Sequence, residues 1–200
     1  MRTVIFDLGG VLIDWNPRYL YDKLIADSAQ REHFLSVVCP QSWNEQQDAG
    51  RSLRAATDER IDLFPQHAKL IEAYYSRWPE MLAGPIAGSV ALLRALAAAD
   101  MPLYALTNWS AELFPIARER FDFLKLFRGI VVSGAEGLIK PDPALFRLML
   151  DRYSLAPPNC FYIDDNPRNI ETAVALGMMA HHYVSADALA LDLRAAGLIG

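Results

Sequence analysis

Apolar residues along this chain keep two different rhythms, and the change between them divides it. Thr3–Phe6 is a short β-branched run that reads as a buried strand ending at Asp7, with Leu8-Gly9-Gly10 turning at once. From residue 17 the spacing is helical. Tyr19, Leu20, Leu24 and Ile25 share one face, and further helices are expected over 29–38, 52–61 and 65–78, the last with Leu70, Ile71, Tyr74, Tyr75 and Trp78 at three- and four-residue steps. No strand is expected across 17–83, and the Gly/Pro-containing stretch 83–88 reads as a return hinge. After it the two rhythms alternate. Strands are expected at 103–107, 129–133, 160–163 and 180–184, separated by helices at 86–99, 110–120, 143–153, 167–176 and 187–196. Ser110 and Asp142 stand at N-cap positions, Pro143 opens a helix, and Asn166-Pro167 opens another.

Strands alternating with helices predict an α/β fold, a parallel sheet with right-handed crossovers whose strand ends all face one way. A helical block after a single strand predicts a core of residues 1–16 and 84–200 with a helical cap of 17–83 inserted into it. Two hundred residues, 52% hydrophobic and 22% charged, suit such a globular arrangement. The net charge of −5 and the absence of a Lys/Arg block argue against a nucleic-acid partner. A small phosphorylated substrate stays compatible, because a bound divalent cation reverses the local field. Two isolated cysteines, Cys39 and Cys160, give no disulfide framework, and Cys160 reads as a packing residue. His33, His67, His181 and His182 have no metal-site spacing. Without an apolar run of membrane length, and with Asp7 too early for a signal peptide, no membrane partner and a cytoplasmic location are expected.

The chemistry gathers at the strand ends. Asp7 follows the first, Thr107-Asn108 the second and Asp164-Asp165 the fourth, while Lys140 lies in the loop after the third. In a parallel sheet these ends share one edge, where ligands of open α/β sheets bind. Asp7 with the acidic pair could hold Mg²⁺, which takes a few carboxylates and keeps several waters. Thr107, Asn108 and Lys140 would then grip a phosphoryl group, with Lys140 offsetting repulsion among three carboxylates.

FDLGGVLIDWNP, LTNWS, GLIKPDPALF and YIDDNPRNIETAVALGM together resemble the four motifs of the haloacid dehalogenase superfamily, in phosphatases with a helical cap of the first type. The resemblance covers nearly the whole chain. It implies a Rossmann-like sheet of order 5-4-1-2-3 and an aspartyl-enzyme intermediate. It makes Asp7 the nucleophile, with Thr107, Asn108 and the backbone N–H groups of Leu8, Gly9 and Gly10 binding the transferring group. Lys140 would steady nucleophile and phosphoryl charge; Asp7, Asp165, the Gly9 carbonyl and, through water, Asp164 would hold Mg²⁺.

One position departs from the pattern. Family phosphatases carry a second Asp two places after the nucleophile, which protonates the leaving group and activates water; here that place is Gly9. Such help is typically worth about 10²–10⁴-fold. Asp14 is the preferred substitute, with Asp48 and Glu45 as alternatives from the cap. An easily departing substrate such as a sugar 1-phosphate is a second explanation, and sugar-1-phosphatases with a similar Asp-Leu-Gly opening favour it. A weakly active phosphate-binding protein is a third. The rival enzyme is a 2-haloacid dehalogenase, but Asp164-Asp165 beside Asp7 would be costly without a cation. The cap aromatics read as its own core, with Trp15, Asn16, Trp43 and Gln47 as candidates to face substrate. The expected reaction is Mg²⁺-dependent hydrolysis of a small phosphorylated metabolite, with a sugar phosphate favoured.

Overall fold

The computed structural model describes residues 2–200. The chain opens with β1 (Thr3–Phe6) and β2 (Ile13–Trp15), then runs through α1 (Arg18–Leu24), α2 (Ser28–His33), α3 (Gln41–Asp48), α4 (Leu53–Leu63) and α5 (Ala68–Ser76) before returning in β3 (Leu82–Pro85). Next come α6 (Ala87–Ala98), β4 (Leu103–Thr107), α7 (Phe114–Arg120), β5 (Gly129–Val132) and α8 (Ser133–Glu136). The remainder is α9 (Pro143–Arg152), β6 (Cys160–Asp164), α10 (Pro167–Ala175), β7 (Met179–His182) and α11 (Ala186–Ala195).

Five of these strands pair in parallel in the order β5-β4-β1-β6-β7. Counted alone in chain order, they give the expected 5-4-1-2-3. The central strand β1 is buried on both faces, so every residue of its run is apolar or β-branched. Val4 and Phe6 pack on one side with Leu93, Leu96 and Phe127, while Ile5 packs on the other with Leu106, Val131 and Tyr162. Each such fully buried side chain contributes about 1.5–3 kcal/mol. With both faces covered, the open edge at the strand C-termini is left for ligands.

β2 and β3 form a separate antiparallel ribbon, pairing Ile13 with Pro85 and Asp14 with Gly84, and between them the chain makes only helices and turns. Neither strand was expected: β2 has three residues, and β3 reads Leu-Ala-Gly-Pro, so neither offers an alternation to detect. Arg120 on α7 donates to the Pro79 and Leu82 carbonyls at 2.8 and 3.0 Å, tying the return strand to the core. Trp43, Tyr74 and Tyr75 pack on one another inside the helical insert, as expected. Trp78 does not; it crosses to Trp109, in the loop after β4, at 5.4 Å between ring centroids.

Three helical expectations are corrected. The 29–38 stretch is α2 followed by a π-helical turn, Phe34–Val38, in which Phe34 and Val38 are both buried. The helix expected from Ser110 begins only at Phe114, because the Ser110 hydroxyl accepts from Glu112 N (3.2 Å) and closes a turn instead. Lastly, α3 was missed, since Gln-Ser-Trp-Asn-Glu-Gln-Gln-Asp has no apolar period although Asn44, Gln47 and Asp48 are buried. The Asp142 and Asn166 caps stand as expected, accepting from Ala144 N and Arg168 N. Cys39 and Cys160 are free and buried. No helix among the described residues is long and apolar enough to cross a membrane.

Candidate active site

Parallel pairing carries the ends of β1, β4 and β6 to one edge of the sheet, where β1 and β6 deliver the acids and β4 ends at Thr107. Carboxylate oxygens of Asp7, Asp164 and Asp165 lie within 4.8 Å of one another. Lys140 reaches the same point from the loop before α9. Its Nζ is 3.0 Å from Asp7 Oδ2 and donates at 2.7 Å to Asp164 Oδ2 and at 2.9 Å to the Leu106 carbonyl. Lys140 is itself only 3% exposed, so these contacts replace its hydration.

The acids differ in their surroundings. Asp164 is fully buried and accepts from Lys140 Nζ, the Tyr162 hydroxyl, Asn166 N (2.9 Å) and Asn169 Nδ2 (2.9 and 3.0 Å). Burial alone would raise its pKa; the Lys140 ammonium and these donors outweigh that and hold it below the usual carboxylate value. Asp7 goes the other way. Desolvation pushes it up, Lys140 opposes, and Asp164 and Asp165 add to the rise. Asp165 is exposed and also raised, by partial burial and then by Asp164. Its main-chain carbonyl accepts from or faces His182 Nε2 at 2.9 Å. Three carboxylates against one ammonium leave an excess of negative charge that a hard divalent cation would offset, and their oxygen donors suit Mg²⁺.

Glycine is required once in this loop. Gly10 has φ +74°, and a Cβ there would lie 2.3 Å from Asp165 Oδ2. The loop donors are not equivalent. Leu8 N donates to Asp7 Oδ1 (2.7 Å) and Gly10 N to the Ile13 carbonyl (2.9 Å), so neither is spare for a phosphate. Among the described residues the Gly9 N–H meets no acceptor. Asn108 holds the Lys140 main chain at both ends of its amide, Nδ2 to the carbonyl (3.0 Å) and Oδ1 from N–H (2.8 Å), and so fixes the lysine loop. Thr107 is 1% exposed, and its hydroxyl has no partner among the described residues. An unpaired buried hydroxyl is costly.

Above the acids opens a cavity of about 550 Å³, bounded by Asp7, Gly9, Lys140 and Asp165 below and by side chains of the helical insert above. Trp15, Trp78 and Trp109 wall it, with Gln41, Asn44, Glu45 and Asp48 between them. Among the described residues, the indole N–H groups of Trp15 and Trp109 are buried without acceptors. Of the expected substrate-facing residues only Trp15 lies on the cavity. Trp43 and Gln47 belong to the interior of the insert, where Gln47 donates to the Tyr75 hydroxyl at 2.6 Å, and Asn16 accepts from Arg18 N at 2.9 Å. Asp14 is also elsewhere: it accepts from the Tyr19 hydroxyl at 2.8 Å and does not bound the cavity, because strand alternation sends it opposite to Trp15. Asp48 and Glu45 do bound it. Sequence reasoning missed Gln41, Asn44 and the cavity roles of Trp78 and Trp109; the run of polar residues Asn44, Gln47 and Asp48 was the signal that could have found Asn44, and Gln41, which is exposed, had none.

The model of the haloacid dehalogenase-like hydrolase family matches residues 1–177. The chain belongs to that family. Within it, this hydrolase is similar to a sesquiterpene phosphatase of Aspergillus oryzae, with 28% identity covering 96% of this chain and 95% of the relative. Its fold is similar to that of a HAD-like hydrolase of Porphyromonas gingivalis, TM-score 0.73 at 20% identity, covering 97% of this chain and 98% of the other. It also resembles a HAD enzyme of Bacteroides thetaiotaomicron solved with magnesium and inorganic phosphate, TM-score 0.71 at 20% identity, covering 92% and 95% of the two chains.

Proposed function

We propose that this haloacid dehalogenase-like hydrolase is a Mg²⁺-dependent phosphomonoester hydrolase that works through a covalent aspartyl-phosphate on Asp7. The observation that carries the reading is the convergence of Asp7, Asp164 and Asp165 on one point with Lys140 buried among them. Asp7 Oδ attacks phosphorus, the P–O bond to the alcohol breaks, and water then hydrolyses the acyl phosphate. Lys140 steadies the nucleophile and the charge on the transferring group, while the Thr107 hydroxyl and Gly9 N–H donate to its oxygens. Bound Mg²⁺ would neutralise phosphoryl charge. Asp7, Asp165 and the Gly9 carbonyl would hold it; Asp164, with both oxygens already accepting, orients Lys140 and would support the ion through water.

Residues 1–16 and 84–200 act in this reading as the catalytic core, and 17–83 as the cap that selects the substrate. The cavity suits a small metabolite. A lining that mixes indoles with amide and carboxyl groups, and two indole donors lacking acceptors among the described residues, favour an oxygen-rich leaving group such as a sugar. The similarity to a sesquiterpene phosphatase supports a second substrate class, an isoprenoid alcohol phosphate, which the same aromatic walls would hold.

Phosphate release from a panel of sugar and prenyl phosphates, with and without Mg²⁺, tests the proposal. Activity that requires Mg²⁺ and vanishes in Asp7→Asn is expected. Release that survives Asp7→Asn rules out the covalent step, and metal-independent halide release from 2-chloropropionate moves the assignment to a dehalogenase.

A further inference from the structure

Position 9 has no side chain to move a proton, so the cavity must be searched for one that can. Asp7, Asp164 and Asp165 are committed to the ion network, and Asp14 is bonded to Tyr19 away from the cavity. We propose that Asp48, at the end of α3, is the catalytic acid and base: it protonates the departing oxygen and later takes the proton of the attacking water. This rests on the aspartyl-phosphate reading above.

Asp48 belongs to the helical insert by sequence but is fastened to the core. The Ser133 hydroxyl donates to its carbonyl at 2.5 Å and accepts from Trp109 N at 2.9 Å, so a single hydroxyl joins the end of α3 to the residue that follows Asn108. Its carboxylate accepts from Asn44 Nδ2 at 3.1 Å and faces the Ser110 main-chain N–H. The same side chain is 9% exposed and bounds the cavity that holds Asp7. A carboxyl this buried with no cation facing it is expensive to keep ionised, which a purely structural role does not explain.

The groups facing Asp48 favour proton exchange near neutrality. Glu45 lies on its own helix, Tyr74 and Tyr75 come from α5, and the loop after β4 contributes the Ser110 N–H. Burial and then Glu45 push the carboxyl up to about 7, against the Ser110 N–H. Both protonation states are therefore present at neutral pH, as a group that first gives and then takes a proton requires.

Bonds and protons balance. In the first step Asp7 bonds to phosphorus, the ester P–O bond breaks, and its electron pair takes the Asp48 proton to release the alcohol. In the second, water attacks phosphorus, its proton passes to the Asp48 carboxylate, and the bond to Asp7 breaks. Phosphate leaves with Asp7 ionised and Asp48 protonated again.

Asp48→Asn is the first test, read on an alkyl phosphate and on 4-nitrophenyl phosphate, whose leaving group needs little acid. The expected loss of kcat/KM on the alkyl ester is about 10²–10⁴-fold. The aryl ester should lose far less, and aspartyl-phosphate should accumulate after acid quench because the base is gone. Gly9→Asp then supplies a rescue: a Cβ at Gly9 meets nothing within 4 Å, so the backbone admits a side chain there, and its carboxyl should restore alkyl turnover in the Asp48→Asn background. Equal losses on both esters, an unchanged pH profile and no rescue would overturn the assignment. If Asp48→Asn does not fold, Asn44→Ala decides: removing a donor to the ionised form should move the alkaline limb of the kcat/KM profile, where Asp48 loses the proton it must give, to higher pH, and an unmoved limb refutes the role. Should Asp7→Asn remain active, the covalent reading and this one fall together; if Asp7→Asn is dead but the Asp48 signatures are absent, only this one does.

Discussion

Replacing Lys140 by Met keeps most of the side chain's volume and removes its charge, which isolates what the ammonium does. In the native protein Nζ sits 3.0 Å from Asp7 Oδ2 and 2.7 Å from Asp164 Oδ2, buried at 3% exposure. Deleting one partner of such a buried network costs about 3–5 kcal/mol, a large share of a typical total of about 5–15 kcal/mol. The cost should depend on pH. Burial acts to raise both carboxyls and Lys140 opposes it, so without the ammonium Asp7 rises further and Asp164 climbs from its lowered value. The folded variant then binds more protons than its unfolded chain between the ordinary carboxylate value and the raised ones. Its stability therefore declines as pH increases through that window, and the deficit relative to wild type grows in the same direction. With a urea slope of about 2 kcal/mol per molar, the midpoint should fall by about 2 M near pH 8 and by less than half that near pH 5. Tryptophan fluorescence during urea unfolding at the two pH values measures it. Equal midpoint losses at both would show that Lys140 matters for packing, and the electrostatic account of the site would be wrong.

Two further substitutions probe the phosphate side. Thr107→Val removes a buried hydroxyl that has no protein partner, so stability should be unchanged or slightly higher, while inhibition by inorganic phosphate or vanadate weakens about tenfold or more; thermal melting and inhibition constants separate the two effects, and a clear loss of stability would contradict the vacancy of that hydroxyl. Gly10→Ala places a methyl group 2.3 Å from Asp165 Oδ2 at a backbone φ of +74°, which should cost at least about 1 kcal/mol and raise the Mg²⁺ concentration needed for half activity severalfold; a Mg²⁺ titration alongside wild type measures the shift.

The core sheet was legible because strands buried on both faces are written as unbroken apolar runs, TVIF, LYALT and CFYID, and their pairing in one direction brings Asp7, Thr107 and Asp164 to one edge whatever the loops do. The ends of the chain's hydrogen-bond paths were not legible. Whether Asp14 or Trp15 turns toward the cavity is decided by one residue of register in a three-residue strand. That Leu8 N–H is spent on Asp7 and the Asn108 amide on the Lys140 main chain depends on backbone geometry with no sequence signature. The helix α3 stayed hidden for the reason it matters: its inward face is polar, with Asn44, Gln47 and Asp48 where an ordinary amphipathic helix has Leu or Ile.

The β2–β3 ribbon brings the two chain crossings side by side, with Ile13 opposite Pro85 and Trp15 opposite Leu82. The span between them is thus a cassette with adjacent splice points. A different helical sequence can be exchanged there, by engineering or by descent, without disturbing the register of a single central strand. Selectivity can therefore diverge with the cassette, but any replacement must still offer a carboxyl where Asp48 stands, a carbonyl to the Ser133 hydroxyl and partners for Arg120 and Glu112.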